Sequence, residues 1–160
     1  NLCKIFGIPK YLSYIHIMNK EEIQLIINEV YPKIEKYYGY SKYHNCTPYV
    51  ELHHNIYIRL TGEAYDEDIL YERYLGIPNI LSETECNPDA EFDRQENTIV
   101  IYWPKAIDKK WIIQALIHEY QHYLQSPIWF KRYYKMGYEY NTHPYEVAAT
   151  KEESKWKTFA

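Results

Sequence analysis

Five consecutive residues, His118-Glu119-Tyr120-Gln121-His122, carry two imidazoles and a carboxylate at a spacing that suits one metal ion. On an α-helix, residues four apart lie about 40° apart around the axis and about one turn apart along it. Both histidines can then face a single ion. Glu119 sits beside them, where a carboxylate can take a proton from water that the ion has acidified. Three fixed positions arise by chance in roughly 3% of shuffled chains of this composition, so the surrounding residues must decide.

Those surroundings read as a helix. Asp108 suits a cap, the run from Lys109 to Gln125 holds no Gly or Pro, and Pro127 stands just past its end. On a helical wheel the run divides into three arcs. Lys110, Gln114, Gln121 and Gln125 form a polar stripe expected to face water. Ile112, Ile113, Leu116, Ile117, Tyr120, Tyr123 and Leu124 form a broad apolar arc expected to face a core. His118, Glu119 and His122 fall in the remaining arc with Trp111 and Ala115, bordering the core as a cleft-lining face would.

Catalytic zinc takes three protein ligands and keeps a further position for water. The extended pattern H-E-x-x-H-x-x-G-x-x-H would need Gly at 125 and His at 128; the chain has Gln125 and Ile128, which excludes it. A third ligand must come from farther along. The stretch Asn141 to Ala149 can start a helix at Thr142 or His143, with Pro144 suited to its first turn. Glu146 then falls in that first turn, either as an acid favoured by the helix dipole or as the missing ligand. His143, one turn earlier on a similar face, is the second choice. Glu139, Glu152 and Glu153 fit less well.

With His118-Glu119-x-x-His122, a gap of 23 residues and then Glu146, the chain resembles the gluzincin zinc metallopeptidases. The closer likeness is to their compact, single-domain members, the minigluzincins and similar small peptidases of microbes and phages. Glu146 opens an E-x-x-A run ending at Ala149, as the glutamate helix does in many compact relatives. The likeness covers roughly residues 88–158 and is specific at three ligands and one base. It implies Zn²⁺ on His118, His122 and Glu146, with Glu119 as the general base. One departure stands out. Thermolysin-like enzymes carry an Asp four residues after the ligand Glu, supporting a ligand His; this chain has Thr150 there, which leaves the partner of that His unassigned.

The elements that must position these residues suggest an α+β fold, a small, mainly antiparallel sheet packed against helices that include the active-site helix and the glutamate helix. Asn19-Lys20-Glu21-Glu22 reads as a capping box, followed by Ile23, Ile26, Ile27, Val30 and Ile34 at helical spacing, with Pro32 as a kink point. Residues 49–60 alternate apolar and polar, as a half-buried strand would. His53 and His54 point to opposite faces of such a strand and read as structural. Residues 66–75 suit a short helix and 76–88 a connection. Ala90 to Asp93 and Thr98 to Trp103 read as a hairpin around Arg94-Gln95-Glu96-Asn97. Its second strand, directly before the metal helix, resembles the substrate-binding edge strand of zinc peptidases; an interior strand is the equal alternative.

At 160 residues the chain suits one domain over 1–160, open to truncation at either end since it begins with Asn1 and its last helix runs nearly to Ala160. A net charge of -4 and the lack of a basic patch argue against nucleic acid, and no apolar run approaches membrane-spanning length. Cys3, Cys46 and Cys86, odd in number and widely spaced, form no disulfide framework, which favours a reducing, cytoplasmic setting or a virion. The Asn45-Cys46-Thr47 sequon, with no clear secretion signal, reads as chance. The 20 Tyr carry no binding signature by themselves.

The expected activity is hydrolysis of a peptide or protein substrate, with Tyr138, Tyr140 and Tyr145 as candidate oxyanion donors and Tyr133 and Tyr134 also near the ligand helices. The alternative is a catalytically silent zinc-binding module in a protein assembly, such as a virion component derived from a peptidase. A third reading is a latent enzyme plugged by the Tyr-rich 127–145 segment.

Overall fold

The computed structural model describes residues 18–56, 59 and 88–160. The short helix expected at 66–75, the connection 76–87, Cys3, Cys86 and the first residues lie outside them. Helix α1 spans Lys20–Tyr38. Its capping box forms as the sequence indicates: the Glu22 amide donates to Asn19 Oδ1 at 2.9 Å, and the Asn19 amide donates to Glu22 Oε2 at 3.1 Å. Pro32 lies inside this helix, which ends at Gly39, whose φ of 73° is one that a side chain would resist.

Strands β1 (Tyr49–His53), β2 (Ala90–Asp93) and β3 (Thr98–Tyr102) form a sheet in the order β1-β3-β2. β2 and β3 pair antiparallel across the expected Arg94–Asn97 turn, where Asn97 takes a φ of 48°. β1 and β3 pair parallel, which their long separation in sequence permits. The sheet is therefore mixed, not mainly antiparallel. β3 is its central strand, buried along all five residues, so the strand before the helix that carries His118 and His122 is interior. Among the described residues the outer edge near that helix belongs to β2.

β1 is also shorter than the alternation over 49–60 suggests. It stops at His53, and the Arg59 amide donates to the Asn55 carbonyl at 3.2 Å in a helical pattern. Period-two alternation over a short run does not specify backbone conformation, and the ladder with β3 ends at His53–Tyr102. His53 bonds Glu51 at 2.9 Å, and the His54 ring meets Trp103 edge-on. Neither histidine belongs to the donor group described below.

A short 3-10 turn, Trp103–Lys105, leads into helix α2, Lys109–Leu124. Asp108 caps α2 by accepting from the Trp111 amide at 2.7 Å. The apolar arc of α2 forms the centre of the core: Ile112, Ile113, Leu116, Ile117, Tyr120 and Tyr123 are fully buried. They join Ile23, Ile27, Val30 and Ile34 of α1 and Ile99 and Ile101 of β3. Burying each such aliphatic side chain contributes about 1.5–3 kcal/mol. Several tyrosines belong to this core because their hydroxyls find partners there. Tyr31 donates to the Pro48 carbonyl at 2.6 Å, Tyr120 to that of Gly39 at 2.5 Å, and Tyr123 accepts from the Ser41 amide at 2.9 Å.

Helix α3 (Pro127–Lys135), helix α4 (Pro144–Glu152) and a 3-10 segment, Glu153–Thr158, complete the described chain. Leu116→Ala, which empties a fully enclosed site on α2, is expected to cost about 2–5 kcal/mol, read from denaturant unfolding monitored by circular dichroism.

Candidate metal centre

Local sequence positions the donors. α2 carries His118 and His122 one turn apart, with ring centroids 5.0 Å from one another. The helix stops at Gln125, whose backbone is extended, and Ser126 starts α3 by accepting from the Trp129 amide at 3.3 Å. After α3 the chain turns back through Gly137, at a φ of 100°, to His143. His143 is fully buried and caps α4: Nδ1 accepts from the Tyr145 amide at 3.1 Å, while Nε2 donates to the Phe130 carbonyl at 2.9 Å. Both ring nitrogens are thereby engaged. His143 is a pin between α3 and α4, not a ligand.

That pin sets Glu146 in the first turn of α4, facing α2. Its Oε2 lies 3.0 Å from His118 Nε2 and its Oε1 lies 3.3 Å from His122 Nε2. All three residues are buried, and their donor atoms lie within 4.8 Å of one another. Each imidazole has a second partner behind it. His118 Nδ1 is 2.8 Å from Glu153 Oε1, and His122 Nδ1 is 2.8 Å from Gln125 Oε1. The Gln125 amide nitrogen donates to the Tyr145 carbonyl at 3.0 Å, which turns its oxygen toward the histidine.

These partners fix the tautomers. Glu153 and the Gln125 oxygen accept, so both Nδ1 atoms carry hydrogen and both Nε2 atoms aim their free positions at a carboxylate. Two nitrogen lone pairs and an anion, buried together, repel unless a cation lies among them. A proton can serve. Burial pulls the His118 imidazole down, but hydrogen bonds to Glu146 and Glu153 and the nearby Glu119 outweigh it and push it up to about 10. Burial raises Glu146, yet its contacts with His118 and His122 hold it down at about 2. A divalent ion suits the same place, and two imidazoles with one carboxylate form a donor set characteristic of catalytic zinc.

Glu119 is buried beside them. Burial pushes its carboxyl up, partly offset by His122 and His118. These residues line an open cleft of about 650 Å³ with Phe92, Arg94, Phe130 and Tyr140. Among the candidate tyrosines, only Tyr140 borders this cleft. Burial, Glu146 and Glu119 push its phenol up to about 12, so it keeps its hydrogen. Tyr138 packs edge-on against Tyr133, 5.7 Å between centroids, and does not line the cleft. The Tyr145 ring is held 5.4 Å from Tyr133 and stacks among Phe130 and His143. The Tyr134 ring lies 4.5 Å from His143, with its phenol raised by burial and by Glu146.

Sequence reasoning missed the roles of three polar residues. Gln125 reads as part of a water-facing stripe but orients His122 from three residues on. Glu153 reads as a poor ligand but supports His118; it follows Glu146 by seven residues, two helical turns on one face, and that spacing was the available signal. Arg94 reads only as turn. Its guanidinium reaches the carbonyls of His122 and Gln125 at 3.2 and 3.3 Å.

No protein family, curated protein or solved structure matches the chain.

Two outcomes test the donor set. Glu146→Ala should abolish stoichiometric zinc, while Glu153→Ala should retain binding but weaken it about 10–100-fold, both read by metal titration. Binding at pH 7 should release about one proton, because the raised His118 must give up its Nε2 hydrogen to bind an ion. Zinc calorimetry in buffers of different ionisation enthalpy measures that number; zero release would contradict the proton's place.

Proposed function

We propose that the protein is a zinc-dependent peptidase with a compact, gluzincin-like fold. One observation carries this reading: a buried Glu119 stands beside the converging His118, His122 and Glu146 donors, and all four line one open cleft. Zinc bound by those three side chains supplies a Lewis acid for the scissile carbonyl and lowers the pKa of water toward about 7.

The chain's own groups do the rest. Glu119, whose carboxyl is raised by burial, accepts the proton of the attacking water and returns it to the leaving amine. Tyr140, still protonated, donates its hydroxyl hydrogen to the developing oxyanion. Glu153 and Gln125 hold the two imidazoles in one tautomer throughout. Substrate enters along β2, since Ala90, Glu91 and Phe92 line the same cleft and the strand's outer side carries no ladder among the described residues. An extended peptide can add there by backbone hydrogen bonds. Among the described residues no helix is long and apolar enough to cross a membrane.

Glu119→Gln should keep one zinc per chain and lower kcat for peptide cleavage by about 10²-fold or more. Cleavage at the wild-type rate would remove Glu119 as the base. Tyr140→Phe should lower kcat about 10²–10³-fold with little change in KM, measured on the same peptide. An unchanged kcat would pass the oxyanion role to another donor.

A further inference from the structure

The cleft wall carries both signs of charge. Glu119 and Glu146 line it, and so do Arg94 and Lys131. Arg94 opens the β2–β3 turn, and its guanidinium lies over two rings, 5.5 Å from the centre of Phe92 and 5.8 Å from that of Phe130. The hydrogen bonds to the His122 and Gln125 carbonyls hold it against the backbone of a donor residue, His122. They use two of the five N–H groups of the guanidinium and leave three.

What Arg94 lacks is an anion. Among the described residues no carboxylate pairs with it, whereas Arg59 is matched by both Glu91 and Asp93. Lys131, exposed at the same wall, also has no carboxylate partner among the described residues. Closing the end of α2 needs only hydrogen-bond donors, and a neutral side chain could supply them. A half-buried, always-charged fork with spare donors on a cleft wall does more than that. Its planar geometry matches a carboxylate in two parallel hydrogen bonds, and the two aromatic rings hold it in place before anything binds. A neutral substrate covering the cleft would strip water from this cation and return nothing.

From this geometry we infer that Arg94 determines substrate specificity by binding a carboxylate of the peptide, an acidic side chain or the terminal α-carboxylate. Its role toward a substrate rests on the peptidase reading; the anion subsite itself does not. Lys131 adds positive charge at the rim, and Arg94 shares the cleft with His118, His122 and Glu146. The bond cleaved is therefore close in sequence to the bound carboxylate.

Zinc-loaded Glu119→Gln protein, which should bind peptides without cutting them, is the reagent for the test. The probes are alanine-based peptides carrying a single Glu or Gln, each with a free or an amidated C-terminus. Calorimetry should show a carboxylate-bearing peptide binding at least about tenfold tighter than the amidated Gln peptide. The pair that differs identifies the source, side chain or C-terminus. Adding Arg94→Gln should erase the difference while zinc content stays the same, and Arg94→Lys should restore part of it. In protein with Arg94 intact, the Arg94 Nε–H resonance should move on adding the preferred peptide and not its carboxylate-free partner. That readout stands even if the substituted proteins fail to fold. Equal binding of all four peptides, absence of binding, or a preference that survives Arg94→Gln would overturn the inference. A carboxylate preference with no cleavage of that peptide by the wild type would sink the peptidase reading and leave the subsite standing.

Discussion

The structure turns on one buried contact, the Glu146 carboxylate set between the Nε2 atoms of His118 and His122. A buried carboxylate is costly unless positive charge and hydrogen bonds surround it. Among the described residues, that charge comes from a proton on the imidazoles or from an ion between the three groups, and the surrounding fold keeps that choice open. α2 is held by its apolar arc in the core, so its polar arc cannot rotate away. α4 is held by the His143 pin to α3 and by the Gln125 bond to the Tyr145 carbonyl. The two helices that face each other across the donors are thus fixed by contacts that involve none of the ligands. A donor set supported this way is formed in advance, so little ordering remains when a cation binds.

Much of this was legible because helices repeat with a known period. The apolar and histidine-bearing arcs of α2, its Asp108 cap, the capping box at Asn19 and the first-turn position of Glu146 all follow from local spacing, and each has its expected place. The contacts that cross the molecule were not legible. His143 and Glu146 lie on similar faces by the wheel, and only the tertiary position of the Phe130 carbonyl makes one a pin and leaves the other facing the donors. Gln125 caps the end of its helix, with extended backbone, so the wheel assigns it to the water-facing stripe while its side chain turns to His122. The sheet went the same way. Alternation over 49–60 speaks of burial on one face, but strand length and neighbour depend on what lies alongside. β3 supplies partners only as far as His53, and its own burial on every residue marks an interior strand.

The aromatic residues divide by a simple criterion. Those whose hydroxyls find a backbone partner inside, Tyr31, Tyr120 and Tyr123, behave as large apolar residues with one anchored tip. Those of the α3–α4 region pack on one another and on His143, forming a layer over the donors that includes Phe130, itself 5.5 Å from the His122 ring. Composition alone cannot separate these groups, since the difference lies in where each hydroxyl ends.

The far end of the chain has its own hold on the centre. Phe159 is 1% exposed, seated against Tyr37 and Tyr38 of α1, and Tyr38 also bonds Glu152 at 2.8 Å. Between these two anchors runs the segment that begins with Glu153. The carboxylate behind His118 is therefore moored to the first helix of the described chain, and the basicity of that imidazole is set in part by packing contributed from the opposite side of the molecule. Loosening the aromatic mooring would detune the centre without touching His118, His122 or Glu146.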